Sequence, residues 1–274
     1  MKRLIHQRSE KLSLFIKSRL ENVAQSELRE AMSYAILPGG KRLRPQLCWE
    51  TASVFGADEQ KIIPVAAAIE YIHTYSLIHD DLPSMDDDDT RRGTPTLHRR
   101  FGEAVAILAG DAFLTDAFGI LADSPIEGKT VKNIVSILSE AAGSSGMVAG
   151  QVEDILFNEF DAGEQKLMKI ARRKTEELIK ASVLSGAFIG SAKKSDIELL
   201  SGYGSAVGLA YQISDDIKDV DEDRLNIASC MGDERARAKV EKLLESALRN
   251  LEKLGIKEGF LTYFVAVIRR RLEE

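Results

Sequence analysis

The sequence predicts an all-α protein, and three features of its pattern support this fold class. All six prolines lie at or before position 125, so the rest of the chain contains no helix-breaking ring. Apolar residues there recur at steps of three and four, as in the stripe from Leu167 to Ser185. Clean two-residue alternation is scarce, and there is no Asn-Gly or Asp-Gly hairpin signal. We therefore expect a single bundle of roughly ten or more helices, forming one domain over residues 1–274.

The apolar pattern also ranks the helices by depth. The segments Ile62–His79 and Leu199–Val220 are apolar on nearly every side, which is typical of central helices. The segments Leu4–Leu20 and Glu234–Leu254 are amphipathic and charged, so we expect them on the outside. With 44% apolar residues, the chain can bury a sizeable core.

Composition excludes several classes of function. A net charge of −6 argues against nucleic acid as a partner. Cys48 and Cys230 are the only cysteines, so we do not expect a disulfide framework. We expect a reducing, cytoplasmic environment instead. The first residues do not read as a signal peptide, and no run of about 18 apolar residues predicts a membrane span.

Both predicted central helices end in acid clusters. The first contains Asp80, Asp81 and Asp86, and the second contains Asp215, Asp216 and Asp219. We expect Pro83 to end or distort the first helix and so carry Asp86 back toward Asp80. Asp215 and Asp219 are four residues apart and share one helix face.

Two interpretations of these acids stay open. A solvated helix end is the plain one, and it would suit a single acid run. Two runs at the ends of apolar helices favour a hard divalent cation, because clustered carboxylates repel one another without a counter-charge. Magnesium binds through one or two carboxylates plus substrate phosphates, so the pattern predicts a metal–diphosphate site. A calcium loop fits less well, because the spacing lacks the required glycine and terminal glutamate.

Cations accompany the acids. The glycine-preceded turn Gly39–Pro45 carries three, and glycine lets the backbone approach an anion while arginine binds phosphate in a fork. Each cation alone would suit the surface, and His73 alone would suit a neutral core histidine. Together with the acids they predict a pocket for two polyanions, one held through metal and one by direct cations. The candidates are Gly40, Lys41, Arg44, His73, Arg91, Arg92 and, within the apolar stripe, Lys174.

In combination these motifs resemble the trans-isoprenyl diphosphate synthase family, most of all its bacterial farnesyl diphosphate synthases. The resemblance runs from about Tyr34 to Val220. Its further matches are Ala109–Leu114, Gly150-Gln151, Lys174-Thr175 and Tyr211–Asp216. The family implies an all-α bundle around a deep central cavity, and a homodimer.

The resemblance assigns roles to individual residues. It implies that magnesium, three ions per active site, is bound by Asp80, Asp86 and Asp215, with Asp81, Asp216 and Asp219 close by. It implies that Arg91 and Lys174 hold an allylic diphosphate. It implies that isopentenyl diphosphate is bound by Gly40, Lys41, Arg44, His73 and Arg92. Lys174, Thr175 and Gln212 are candidates to stabilise an allylic cation.

The implied reaction joins isopentenyl diphosphate head to tail with dimethylallyl and then geranyl diphosphate, giving farnesyl diphosphate. Tyr75 and Ser76 lie about one helical turn before Asp80, where a growing chain would pass. An aromatic residue there should act as a floor and stop growth at fifteen carbons. Two departures from the family pattern stand out: the loop after Asp219 is short and acidic, and Glu176 follows Lys174-Thr175 where a small residue is common.

Other functions remain as alternatives. A geranylgeranyl diphosphate synthase would differ only in product length. A class I terpene cyclase also uses an aspartate-rich site, but it needs no second diphosphate site, so the cations of Gly39–Pro45 count against it. A catalytically silent binding subunit would be expected to lose an aspartate motif, and both are present; the short loop after Asp219 is the feature that favours it.

Overall fold

The computed structural model describes residues 1–157, 163–218 and 225–273. Helices make up nearly all of its secondary structure, so the all-α prediction is confirmed. The chain divides into two compact units. The N-terminal unit comprises Lys2–Trp49 and Asp58–Val131, and the C-terminal unit comprises Met1, Glu50–Ala57 and Lys132–Glu274. The single-domain expectation stays a prediction.

The helices that begin in the N-terminal unit are α1 (Lys2–Leu20), α2 (Ser26–Ile36), α3 (Leu43–Val54), α4 (Glu59–Asp80), α5 (Leu97–Phe101), α6 (Glu103–Ala122) and α7 (Gly128–Ala142). Those of the C-terminal unit are α8 (Met147–Ile155), α9 (Glu164–Ala171), α10 (Glu177–Ile189), α11 (Lys194–Lys218), α12 (Ile227–Met231), α13 (Asp233–Lys253) and α14 (Phe260–Arg271). A π-helical turn, Arg172–Glu176, joins α9 to α10.

Helix α4 forms the core of the N-terminal unit, as its apolar pattern predicts. Most of its side chains from Ile62 to Ile78 are buried, and it packs against α6 and α1. The edge of the Tyr71 ring meets Phe113 of α6 with centroids 4.9 Å apart. Helix α1 buries Arg8, Leu12, Ile16 and Leu20 along one face, and its other residues are exposed or half-buried, which confirms its amphipathic prediction.

Helix α11 has the same role in the C-terminal unit, where it packs against α13 and α10. Its Tyr203 is buried, and the hydroxyl donates to the Leu261 carbonyl at 2.8 Å. Helix α13 buries only the stripe that includes Val240 and Leu244, as predicted for an outer helix. Buried Glu50 accepts a hydrogen bond at 2.8 Å from the Phe260 amide, at the start of α14.

Among the described residues, α6 alone is long and apolar enough to cross a membrane by length and composition. It carries Asp111 and Asp116 within its length. It also packs along α4 within the N-terminal unit. These features favour a packed helix over a span.

One small element was not predicted from the sequence. Strands β1 (Thr90–Arg91) and β2 (Thr94–Pro95) pair antiparallel in a two-residue hairpin. Arg92 and Gly93 form its turn with φ of 55° and 78°, the left-handed pair that a type I′ turn requires. Arginine is an uncommon residue at positive φ, which is why a search for Asn-Gly or Asp-Gly did not find the turn.

Candidate active site

The acidic end of α4 folds as predicted. The helix ends at Asp80, and the chain then turns through Pro83, which has no amide hydrogen with which to continue the helix. The Asp86 amide donates to the Asp80 carbonyl at 2.9 Å. This bond brings Asp80 and Asp86 together at one helix end, with Asp86 exposed.

Asp81 faces differently from Asp80. Its side chain is buried and accepts from Arg91, at 2.6 Å from Nε and 2.5 Å from Nη2. Burial raises the pKa of Asp81, and the Arg91 guanidinium opposes that rise. Arg91 also reaches Asp88 at 3.3 Å. In this structure Asp81 is therefore the anchor of Arg91, and its assignment to metal stays a prediction.

The three cations of the Gly39–Pro45 turn do not share one environment. Lys41 is exposed and Arg44 is half-buried, whereas Arg42 points inward to buried Glu70, with 2.8 Å between Nη1 and Oε1. The family resemblance assigned isopentenyl diphosphate to Lys41 and Arg44, and no role was predicted from the sequence for Arg42 or Glu70. The available signal for this ion pair was Glu70 itself, because an acid within an apolar central helix needs a charged partner when it is buried.

His73 lies among guanidinium groups. Its Nε2 is 3.4 Å from Nη1 of Arg44. Burial lowers the pKa of His73 well below its usual value, and the positive charges of Arg44, Arg92, Arg91 and Arg42 lower it further. The histidine is therefore neutral at neutral pH, as a core histidine would be. The concentration of positive charge around it is the setting that an anion needs.

Gly40 and Arg92 are in direct contact. Arg92 Nη1 donates to the Gly39 carbonyl, and its guanidinium lies so close to Gly40 that a Cβ there would overlap it. This close approach explains why position 40 is glycine. A cavity of about 250 Å³ in the N-terminal unit is lined by both residues, together with Glu70, Asp81 and Arg91.

Tyr75 and Ser76 lie on α4 before its acidic end. Tyr75 is 6% exposed, and its ring centroid is 5.8 Å from that of His79. Burial, together with the charge of Asp80, raises the pKa of Tyr75 to about 12. The Ser76 hydroxyl donates to the His73 carbonyl at 2.9 Å, so it is bonded within its own helix.

In the C-terminal unit, Lys174 and Thr175 sit in the π-helical turn. Lys174 Nζ pairs with Asp154 of α8 at 2.7 Å. Gly150 of α8 packs against the backbone of this turn, where a Cβ would meet the Lys174 amide. π-Turns are rare and are often found at functional sites. The stripe from Leu167 to Ser185 keeps its helical spacing across this turn, so the sequence did not reveal the π-helix. The one signal of a functional site here was Lys174, a charged residue within an apolar stripe.

A chain of hydrogen bonds crosses from this turn to the acidic end of α11. The Thr175 hydroxyl donates to Gln212 Oε1, and Gln212 Nε2 donates to Asp216 Oδ1, both at 2.7 Å. Asp216 is buried, and its Oδ2 accepts from the Ile227 amide at 3.1 Å. Thr175, Gln212 and Asp216 also line a cavity of about 240 Å³ with Lys174.

Asp215 is half-buried and pairs with Arg271 in the last turn of α14. The Arg271 guanidinium also lies over the Tyr211 ring, 4.6 Å from its centroid. Nothing in the sequence analysis pointed to Arg271, which lies far beyond the recognised motifs. Asp219, the third predicted acid of this cluster, lies outside the described residues.

Within the described residues, no three histidine, cysteine, aspartate or glutamate side chains lie close enough to hold a metal ion. The donors at the acidic helix ends are carboxylates, which suit a hard cation such as magnesium. Magnesium takes one or two carboxylates and completes its shell with water and phosphate oxygens, so Asp80 and Asp86, whose backbones are hydrogen-bonded, are the candidates at the end of α4.

Comparisons with known proteins agree on one family. Residues 25–253 match the family profile described as polyprenyl synthetase. The chain is 40% identical to the farnesyl diphosphate synthase of Geobacillus stearothermophilus, over 95% of this chain and 93% of that one. It is 39% identical to the chloroplastic geranylgeranyl pyrophosphate synthase 12 of Arabidopsis thaliana, over 88% of this chain and 72% of that one. The crystal structure of an FPP/GFPP synthase from Zymomonas mobilis superposes on this chain with a TM-score of 0.90 at 33% identity. The match covers 99% of this chain and 98% of that one.

Proposed function

The chain belongs to the polyprenyl synthetase family, and we propose that it makes farnesyl diphosphate. It is a prenyltransferase that condenses isopentenyl diphosphate with dimethylallyl and geranyl diphosphates. One observation in the N-terminal unit carries the proposal. Helix α4 ends at Asp80, to which the following turn returns Asp86, and the same helix carries neutral His73 among guanidinium groups. One surface suits a metal-bound diphosphate, and the other suits a diphosphate held by cations alone.

Three magnesium ions are proposed, with Asp80, Asp86 and Asp215 as ligands and Asp81, Asp216 and Asp219 close to them. Bound magnesium would supply positive charge to the allylic diphosphate as its carbon–oxygen bond breaks. Arg91 and Lys174 add fixed positive charge to the same leaving group. Arg91 is held for this task by buried Asp81, and Lys174 is held by Asp154.

Isopentenyl diphosphate is assigned to the second set of groups. Lys41 and Arg44 provide charge, Arg92 provides a planar fork, and Gly40 lets the backbone approach the diphosphate. His73 is neutral, so it adds a hydrogen bond without adding charge. Which ring nitrogen donates depends on the tautomer. Holding both substrates in register supplies much of the rate enhancement.

The allylic cation needs electron-rich groups that do not react with it. Gln212 presents such a group, and its amide is fixed in orientation because Thr175 donates to its oxygen while its nitrogen donates to Asp216. The Lys174 and Thr175 carbonyls in the π-helical turn are the other candidates. The isopentenyl double bond attacks the cation, a new carbon–carbon bond forms, and a proton leaves to the departed diphosphate.

Tyr75 sets the proposed product length. Its ring is buried about one turn before Asp80, and a helical turn of about 5.4 Å is close to the reach of one isoprene unit. A fifteen-carbon chain should therefore stop there. The similarity to geranylgeranyl pyrophosphate synthases makes a twenty-carbon product the alternative.

The test supplies radiolabelled isopentenyl diphosphate with geranyl diphosphate and magnesium, and separates the products by chromatography. Label in farnesyl diphosphate is the expected result, and label in a twenty-carbon product would assign the alternative. The variant Asp80→Asn is the matched control and should abolish incorporation. Cyclisation of supplied farnesyl diphosphate would identify a terpene cyclase. Activity that appears only with a partner synthase would identify a binding subunit.

We also propose a cytoplasmic homodimer. Each unit exposes large apolar side chains, which mark interaction surfaces when they cluster. In the C-terminal unit Val148, Val152 and Ile155 recur along α8 at helical spacing and are 45–50% exposed. In the N-terminal unit Leu108 of α6 is 60% exposed. Sedimentation of the wild-type chain should give twice the monomer mass, and Val152→Glu should shift it toward monomer.

A further inference from the structure

A buried ion pair lies directly beneath the proposed isopentenyl diphosphate loop. Arg42 Nη1 and Glu70 Oε1 are 2.8 Å apart, with side chains that are 2% and 7% exposed. Arg42 Nη2 also donates to the Ile36 carbonyl at the end of α2, at 2.5 Å. The guanidinium therefore ties the loop to α2 on one side and to the middle of α4 on the other.

The backbone of Arg42 is held in an unfavourable conformation. Its φ is 46°, in the left-handed region that side chains other than glycine rarely adopt. Its carbonyl accepts the Gln46 amide at 3.0 Å, so the strained residue leads directly into α3. Such a conformation persists only where its surroundings fix it. The buried pair with Glu70 provides that constraint.

The loop is clamped from its other side by Arg92. This guanidinium donates to the Gly39 carbonyl and packs against Gly40. Residues 39–42 are thus held between two guanidinium groups, one of which is fixed by Glu70. Glu70 lies three residues before His73 on α4, so the same helix positions the histidine and the loop.

Two simpler roles for Arg42 fit less well. As a direct substrate ligand it would need an accessible side chain, and it is 2% exposed. As a plain stabiliser, a buried ion pair has little advantage over apolar residues of the same size, because both charges must be desolvated. What the pair does provide is a single geometry for the loop.

We propose that Arg42 and Glu70 are positioning residues: their buried pair fixes the loop so that Lys41 and Arg44 meet the diphosphate of isopentenyl diphosphate. This inference rests on the proposed function of Lys41 and Arg44. It explains why the turn Gly39–Pro45 contains three cations so close together in sequence. The inward one sets the backbone, and the other two are left to face the substrate.

The experiment compares Glu70→Gln with wild type in the full-length enzyme, measuring KM for isopentenyl diphosphate and for geranyl diphosphate separately. We expect KM for isopentenyl diphosphate to rise about tenfold or more, equivalent to about 1.4 kcal/mol of binding free energy. KM for geranyl diphosphate should stay within about twofold. The double variant Arg42→Met/Glu70→Gln should be no worse than Glu70→Gln, because the two residues act as one unit.

Three variants make each outcome decisive. Lys11→Ala breaks an exposed ion pair to Glu59 in the same unit and should leave both KM values unchanged. Lys41→Ala tests the proposed function: if it does not raise KM for isopentenyl diphosphate, that assignment fails. If Lys41→Ala acts and Glu70→Gln does not, or if both KM values rise equally, the positioning role is wrong. Should Glu70→Gln fail to fold, Glu70→Asp keeps the charge and must show the same selective shift.

Discussion

Replacing Arg271 by glutamine should lower the magnesium concentration that the enzyme needs. Arg271 pairs with Asp215, the residue proposed to bind metal in the C-terminal unit, and stacks on Tyr211. The guanidinium is bonded to Oδ1 of this carboxylate, so it competes with a metal ion for that oxygen. A metal ion that takes this oxygen must displace Arg271, and removing Arg271 removes that cost.

The size of the effect follows from the burial of the pair. The side chains of Arg271 and Asp215 are 15% and 28% exposed, between a surface pair and a buried one. Two unit charges about 4 Å apart attract by roughly 4 kcal/mol at an effective dielectric constant of about 20, and desolvation offsets much of this. A net cost of about 1–2 kcal/mol corresponds to a factor of about 5–30 in the half-saturating magnesium concentration.

Calorimetric titration with magnesium and the magnesium dependence of the condensation rate provide two independent readouts. Arg270→Gln is the matched control, since it removes the same charge one residue earlier on α14, where Arg270 lies over the Tyr263 ring. It should leave the magnesium requirement unchanged. A higher requirement in Arg271→Gln would refute the reasoning, because it would mean that Arg271 assists metal or diphosphate binding.

Three further predictions concern other parts of the molecule. Tyr75→Ala should lengthen the product beyond fifteen carbons, because it removes the proposed floor, whereas an unchanged product on chromatography would place the floor elsewhere. Glu50→Gln should lower the free energy of unfolding by about 1–3 kcal/mol in urea titrations, because the charged acceptor of the buried Phe260 amide is weakened. Asp81→Asn should also cost about 1–3 kcal/mol of stability, because it removes the buried carboxylate that pairs with Arg91. Asp80→Asn, the inactive control, should weaken magnesium binding in calorimetric titrations with a smaller loss of stability. The reverse order for the two aspartates would show that Asp81 is the metal ligand.

Large-scale features were predictable from the sequence because they depend on local pattern. Apolar residues on nearly every side of a helix are typical of a central helix, so α4 and α11 could be identified as core helices. The return of Asp86 toward Asp80 was predictable because Pro83 lacks a backbone donor and was expected to end or distort the helix.

Features that depend on distant partners were not predictable. Lys41, Arg42 and Arg44 are equally polar in sequence, and only Glu70, on another helix, selects Arg42 for the interior. The π-helical turn leaves no mark in the apolar stripe, because the stripe resumes at helical spacing on both sides. Arg271 shares no motif with Asp215, and only the packing of α14 in its unit brings the two together.

The two acidic helix ends share one arrangement, which explains why each contains adjacent aspartates. Consecutive residues on a helix point about 100° apart, so two adjacent aspartates at a helix end face different surroundings. In the N-terminal unit Asp81 is 4% exposed and holds Arg91. In the C-terminal unit Asp216 is 8% exposed and holds the Gln212 amide and the Ile227 backbone. In each pair the second aspartate thus orders the groups proposed to bind the diphosphate or the cation, and the first, half-buried one is the proposed metal ligand.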